Sequence, residues 1–491
     1  MQDQSRDSQP PPNPRRKAGQ RGFDAIFAFT ARSLQQIATF IITILAAGFL
    51  LPAEYGIYTL AVVFITLIQT LTYTGFYQFI ITSKKDDATV LATSFWMITG
   101  LSLLASLVLA LCARPIAWMY DAPDMEPVIY YMAAIQPISS AGAWSSAVLL
   151  RRQRVRLHFG VMFLQNIASL IGGVALLWWW QSLYALVAFR YIRVLSGTLL
   201  YAVFMPERPA LTFDRGMAKE ATAFSGGLYG SRLLGFLARY GADLILGLMF
   251  STAESGLYRF GNRVATGATD IVAQPMRSFA LTQFGAANRA DHDLSPVLER
   301  FAGTTMLLIG GVAVVIAVFA QDVVANFFDP AYGAAIVVTY ALAARAFAAI
   351  GSELLEPVMS ARHRTGVLMT YNLVWTVLTV GAVFVAAPFG LEALAWVQAA
   401  VALASTLVAL VVIRRQGQTA IKGALRVMAI SVALVAAYAV VLWFGWGWLR
   451  PALAPPGLAL TAGLAMATML GLAMLAAGYK LRVFFLRAFS G

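Results

Sequence analysis

The sequence predicts an all-α integral membrane protein: about 14 transmembrane helices in two parallel repeated halves around a central cationic cavity, with both termini inside. Three observations carry that prediction. The 491 residues are 59% hydrophobic and 12% charged, where a soluble domain carries about 25% charged residues. Apolar segments long enough to cross a bilayer, which takes about 20 residues, recur from residue 23 onward with no soluble-length gap between them. Basic residues then alternate from one junction to the next, as they do in a polytopic protein with a fixed cytosolic side.

Residues 1–22 are polar, Pro-rich and basic (Pro10, Pro11, Pro12, Arg15, Arg16, Lys17), which reads as a disordered cytosolic tail and not as a cleavable signal peptide. Apolar segments then give expected spans at 23–51, 55–82, 89–113, 126–150, 157–180, 182–204, 218–250, 255–284, 297–319, 332–357, 365–388, 390–413, 425–448 and 457–480. Counted from inside, the inner junctions carry Lys84 and Lys85, then Arg151, Arg152, Arg154 and Arg156, then Arg208, Arg215 and Lys219. They continue with Arg289 and Arg300, Arg362 and Arg364, and Arg414, Arg415 and Lys422. The outer junctions hold only Arg114 and Arg450, beside acids such as Glu54, Asp121, Asp124 and Asp322. A single missed or invented helix would scramble this pattern. The net charge of +13 is therefore a topology signal and does not indicate a nucleic-acid partner. A single cysteine, Cys112, permits no internal disulfide, and His158, His292 and His363 are too far apart in sequence to suggest a metal site.

The seventh and eighth spans break the apolar rule. Ser225, Arg232, Arg239 and Asp243 recur at spacings of seven, seven and four, which places them on one face of a helix. Arg259, Arg263, Thr266, Asp270 and Arg277 form a second such stripe. A charge at the bilayer centre costs about 2.5–3.5 kcal/mol, so neither stripe can face lipid. Both must line a watered, protein-enclosed cavity of cationic sign.

Every cation away from the ends of a span is an arginine (Arg32, Arg190, Arg193, Arg232, Arg239, Arg259, Arg263, Arg277 and Arg345), while all six lysines lie in the tail, in loops or at span ends. Arginine keeps its charge when desolvated and presents a planar fork that grips phosphate bidentately. The expected substrate-binding set is Arg32, Arg232, Arg239, Arg259, Arg263 and Arg277. Asp243, Asp270, Glu353 and Glu356 are candidates for ion or proton coupling, or else for pairing with arginines that hold helices together. Arg190, Arg193 and Arg345 are assigned to structural pairing or snorkelling. Trp178, Trp179 and Trp180, with Trp443, Trp446 and Trp448, are assigned to the interfacial aromatic belt.

An internal repeat is also legible. Pro52-Ala53-Glu54-Tyr55-Gly56-Ile57-Tyr58 follows the first span, and Thr252-Ala253-Glu254-Ser255-Gly256-Leu257-Tyr258 follows the seventh, 200 residues on as counted from Glu54 to Glu254. The same offset sets Arg32 on Arg232, and Thr39 and Thr43 on Arg239 and Asp243. A second offset of 210 relates Arg152 and Arg154 to Arg362 and Arg364. Six helices, an even number, separate the repeats, so the halves run parallel with the path between them. The expected organisation is a tail at 1–22, an N-terminal half at 23–215, a C-terminal half at 216–420 and two additional spans in 421–491.

The Leu51-Pro52-Ala53-Glu54-Tyr55-Gly56-Ile57-Tyr58 turn resembles a signature of the polysaccharide transporter family, the Wzx-type flippases of the multidrug/oligosaccharidyl-lipid/polysaccharide exporter superfamily. Leu51 stands where that signature often has glycine. Leu149-Leu150-Arg151-Arg152-Gln153-Arg154 is similar to a basic segment that many members carry after the fourth span. The resemblance implies a transporter and not an enzyme, with no cofactor, in the bacterial inner membrane. It implies export of lipid-linked oligosaccharide for O-antigen, capsule or exopolysaccharide by alternating access. Partners would be the anionic polyprenyl-pyrophosphate head group, membrane lipid, and a polysaccharide polymerase with its chain-length machinery. A lipid II-type flippase and a cation-coupled small-molecule antiporter of the same superfamily remain alternatives, although the antiporter would call for an acidic cavity. The chain has no glycine-rich nucleotide-binding loop, so an ion, proton or substrate gradient is the expected driving force.

Overall fold

The computed structural model describes residues 34–485 apart from Gln36, Lys84, Pro206 and Ala454; the N-terminal stretch and Arg32 lie outside them. All regular structure among the described residues is helical. The chain begins with α1 (Ile37–Ala47), α2 (Pro52–Thr72), α3 (Thr74–Thr82) and α4 (Asp87–Met119). It continues with α5 (Met125–Ala134), α6 (Gln136–Arg151), α7 (Val155–Trp180) and α8 (Leu183–Phe204). The charged pair follows as α9 (Arg215–Met249) and α10 (Thr252–Arg289), then α11 (Ser295–Phe327) and α12 (Ala335–Ala348). Last come α13 (Ile350–Glu353), α14 (Leu355–Ala361), α15 (Thr365–Ala386), α16 (Leu391–Arg415), α17 (Lys422–Leu449) and α18 (Pro456–Lys480).

Helix starts follow capping chemistry. Asp86 accepts from the Thr89 amide at 3.1 Å to open α4, and Asp214 accepts from the Met217 amide at 2.6 Å to open α9. Among the described residues, ten helical stretches are long and apolar enough to cross a membrane. The expected spans missing from that ten have physical reasons. The first is only partly described, and the fourth is divided at Ile135, where Pro137 in the first turn of α6 forbids a continuous ladder. Helices α9 and α10 are long enough but too charged.

The turns that are alike in sequence are alike in local geometry. Glu54 accepts from the Leu51 amide at 3.1 Å, and Glu254 from the Ser251 amide at 3.0 Å. After α6, Gln153 is left-handed (φ 57) and the Arg154 amide returns to the Leu149 carbonyl at 2.8 Å. After α14, His363 is left-handed (φ 56) and the Arg364 amide returns to the Met359 carbonyl at 2.8 Å. Each pair of residues stands at the 200 or 210 offset. Helices α2 and α10 cross at reciprocal glycines: a Cβ on Gly56 would collide with the Thr252 carbonyl oxygen, and one on Gly256 with the Pro52 carbonyl oxygen.

The last two helices pack on α11. Phe319, Leu442, Trp446, Leu460 and Met474 share one buried cluster there. Asp322, 4% exposed, accepts from the Trp446 indole at 2.8 Å and pairs with Arg450 at 2.8 Å. Trp446, expected in the interfacial belt, is instead a buried staple, because its N–H finds a carboxylate inside the bundle. Its neighbours Trp443 and Trp448 are exposed.

Two stability outcomes follow from this packing. Gly56→Ala and Gly256→Ala should each destabilise the purified protein by about 1–3 kcal/mol, the usual cost of overpacking. Gly100→Ala, whose Cβ would meet nothing within 4 Å, should not. Asp322→Ala, which strands the Trp446 donor, should cost about 1–3 kcal/mol, and Asp322→Asn less because it keeps an acceptor. Thermal unfolding in detergent, followed by tryptophan fluorescence, measures all of these.

Candidate functional site

The helices enclose a cavity of about 640 Å³. Its wall comes from α1, α2, α6, α7 and α8, with six residues from α9 and α10: Arg239, Tyr240, Arg259, Asn262, Arg263 and Thr266. Along α2 it is lined from Tyr55, beside the glycine crossing, to Tyr73. That is a run of about 27 Å at 1.5 Å per residue. Threonines of α1 (Thr39, Thr43) and α2 (Thr59, Thr66) give part of the wall a hydroxyl surface.

Three of the six expected substrate arginines face this cavity. Arg239 lies there exposed, with no acid in ion-pair contact among the described residues. Arg259 stacks over the Tyr240 ring at 5.4 Å and touches Asp243 at 2.8 Å. The Arg259–Asp243 contact is an ion pair out of hydrogen-bond alignment, since Nε of Arg259 and Oδ1 of Asp243 have no hydrogen-bond partner. Arg263 is half-buried, and its Nε is enclosed without a hydrogen-bond partner among the described residues.

The other three arginines do not join them. Arg32 lies outside the described residues. Arg232 is half-buried on α9 and is not part of the wall. Arg277 is answered by two acids: it pairs with Glu353 at 3.5 Å and makes a short contact with Glu356. Glu353 and Glu356, candidates for coupling, are thus bound up with one arginine away from the cavity. Asp270 is exposed on α10, beyond ion-pair distance but within the field of Arg239 and Arg263. Asp243 is buried at 2% exposure with Arg259 as its partner. Arg345, expected to be structural, donates to Gln398 at 2.8 Å and to Asn262 at 3.2 Å.

Sequence reasoning misplaced two residues. Arg190 and Arg193, assigned to structural pairing, line the cavity from α8. The overlooked signal was the absence of any Asp or Glu between Leu183 and Phe204: two arginines on one helix face with no acid in their own span. His158 also reaches the wall, where its Nδ1 meets Tyr201 Oη at 3.1 Å and Ser146 Oγ at 3.3 Å.

A bundle of membrane-spanning helices around a polar, arginine-lined cavity defines a multi-pass membrane protein. Two solved structures share the architecture. Lipid II flippase MurJ in an inward closed conformation superposes with a TM-score of 0.69 at 10% identity, covering 94% of this chain and 99% of that one. An inward-facing multidrug resistance MATE family transporter of the MOP superfamily superposes at 0.57 and 11% identity, covering 80% and 94%. Residues 44–337 match the model of the polysaccharide biosynthesis protein family, and the chain belongs to that family. It is also 22% identical over 363 residues, 73% of either chain, to the succinoglycan biosynthesis transport protein ExoT of Rhizobium meliloti (strain 1021).

The Arg259–Asp243 pair predicts a contrast between neighbouring arginines. Arg259→Gln leaves a buried carboxylate unpaired and should destabilise the protein by about 3–5 kcal/mol. Asp243→Asn in the same chain should recover most of that loss. Arg263→Gln strands no acid and should leave the unfolding temperature near wild type. Equal stability of the Arg259 and Arg263 variants would remove the ion pair from the list of packing elements.

Proposed function

We propose that this chain is a flippase carrying polyprenyl-pyrophosphate-linked oligosaccharide units across the bacterial inner membrane for assembly of a surface polysaccharide. The observation that carries this reading is the charge balance of the cavity. Arg190, Arg193, Arg239, Arg259 and Arg263 line it, and among the described residues Asp243, already paired, is the acid in ion-pair contact with any of them. An excess of buried guanidinium is stable only when water or an anion answers it. A pyrophosphate supplies that anion, and the threonine and tyrosine wall offers hydroxyls to sugars.

In this proposal fourteen spans form two parallel lobes, 23–215 and 216–420, with the spans of 421–491 added to the second. Both termini are cytosolic, so the Pro52 and Ser251 turns lie on the periplasmic side. The Gly56–Gly256 crossing then seals the periplasmic end, and the cavity below it is in position to load from the cytosolic leaflet. Transport follows when the lobes part at that crossing and close at the opposite end. The neighbouring acids Asp243 and Asp270 would couple the cycle to protons or ions. A polymerase would take up the delivered unit outside. The antiporter alternative calls for an acid-dominated cavity, and the sign of this one is opposite.

Deleting the gene should abolish a surface or secreted polysaccharide and leave cell shape intact, whereas lysis with accumulated lipid II would assign the chain to peptidoglycan instead. Complementation with Arg263→Lys should restore part of the polysaccharide and Arg263→Gln little of it at equal protein abundance, because lysine keeps the charge and loses the fork. Reporter fusions after Arg487 should read as cytosolic and one at Asp124 as periplasmic. A periplasmic C-terminus would overturn the parallel two-lobe topology.

A further inference from the structure

The internal repeat provides a comparison for the two α8 arginines. Helices α8 and α16 start 208 residues apart, at Leu183 and Leu391, and this offset sets Arg190 on Gln398. Tyr58 and Tyr258 stand at the 200 offset of the preceding turns. The two pairs meet at the tyrosine hydroxyl with opposite roles: Tyr258 donates to Gln398 Oε1 at 3.0 Å, whereas Tyr58 faces Arg190, a guanidinium that can only donate. Around α16 the place is filled. Gln398 and Tyr258 are each 2% exposed, and Arg345 closes the group by donating to the same Oε1 at 2.8 Å.

Around α8 the same place is hollow. The 210 offset puts Ile135 where Arg345 stands, so no second donor crosses it. The cation has moved onto the tyrosine's partner, and it opens on the cavity. Arg193, one turn further along α8, points into the same space, close enough to Arg190 for the two guanidiniums to repel each other. Tyr73 lies within reach of both. Among the described residues neither arginine has an acid in ion-pair contact, and α8 has none to offer. Two like charges held together in a low dielectric are costly until an anion bridges them. Side chains three residues apart on a helix stand about 5–6 Å apart at Cβ, a spacing two adjacent phosphoryl groups can span.

Resting on the transporter reading above, we infer that Arg190 and Arg193, backed by Tyr58 and Tyr73, form the diphosphate subsite of the cavity. The α10 arginines then lie beyond it, along the sugar-facing part of the wall. Arg259 keeps Asp243 as its partner while the diphosphate is bound at α8.

The test is equilibrium binding of farnesyl diphosphate to the full chain in phosphatidylcholine nanodiscs, with thermal unfolding recorded for every variant. Wild type should bind, Arg190→Gln and Arg193→Gln should each weaken binding at least tenfold, and Lys422→Gln, an exposed charge at the start of α17, should stay within twofold. Inorganic pyrophosphate should compete, while added phosphatidylglycerol should not. Where a glutamine variant fails to fold, the lysine variant at that position serves: loss of the bidentate fork predicts three- to tenfold weaker binding, and wild-type affinity there overturns the inference. Unchanged binding in both α8 glutamine variants with loss in Arg263→Gln would move the diphosphate to α10 and leave the transporter reading standing. Competition by phosphatidylglycerol equal to that by pyrophosphate would reassign the subsite to bulk anionic lipid. Absence of any diphosphate binding by wild type would overturn both readings together.

Discussion

A guanidinium inside a membrane bundle must be met by an acid, by neutral polar groups or by water, and this protein uses all three answers in different places. Arg277 takes acids, Glu353 and Glu356. Arg345 takes the amide oxygens of Gln398 and Asn262. Arg190, Arg193, Arg239 and Arg263 face an open cavity. Arg259 stands between these cases, paired with Asp243 and also part of the wall. The cost of an unanswered charge in lipid makes these choices structural as well as functional. On α9 and α10, Arg239, Arg259 and Arg263 turn to the cavity.

The same constraint separates turns that are alike from interiors that are not. Capping at Leu51 and Ser251 and the left-handed turns at Gln153 and His363 are alike across the chain, whereas the polar interiors differ. One interior is packed around Arg345 and Gln398, and the other is open around Arg190. The glycine crossing brings the backbones of α2 and α10 together where the two turns meet, since only the absence of both Cβ atoms lets them approach.

The two C-terminal helices lie away from the cavity wall. They bury an apolar face on α11, and the buried carboxylate of Asp322 fixes them through Trp446 and Arg450. Two partners around one acid specify the docking angle of α17 more sharply than apolar packing alone, because polar contacts are directional.

The sequence by itself determined the class, the order of helices and the sign of the cavity. Those follow from local quantities: apolar run length, loop charge, and the spacing of Arg239, Asp243, Arg259 and Arg263 on two helix faces. The Glu54 and Glu254 turns were likewise readable, since a helix cap is specified within four residues. Tertiary structure alone decided which arginines share a space. Arg277 and Arg263 belong to one stripe on α10, yet one meets two acids from α13 and α14 and the other meets the cavity. For Arg190 and Arg193 the acid-free sequence of α8 excludes a partner within the helix, and only the packing of the neighbouring helices leaves them on the cavity. Trp446 has the sequence position of an interfacial residue, yet its indole donates to Asp322, 124 residues earlier in the chain. The partner of a buried charge is chosen by helix packing across long sequence separations, and helical periodicity carries no record of that choice.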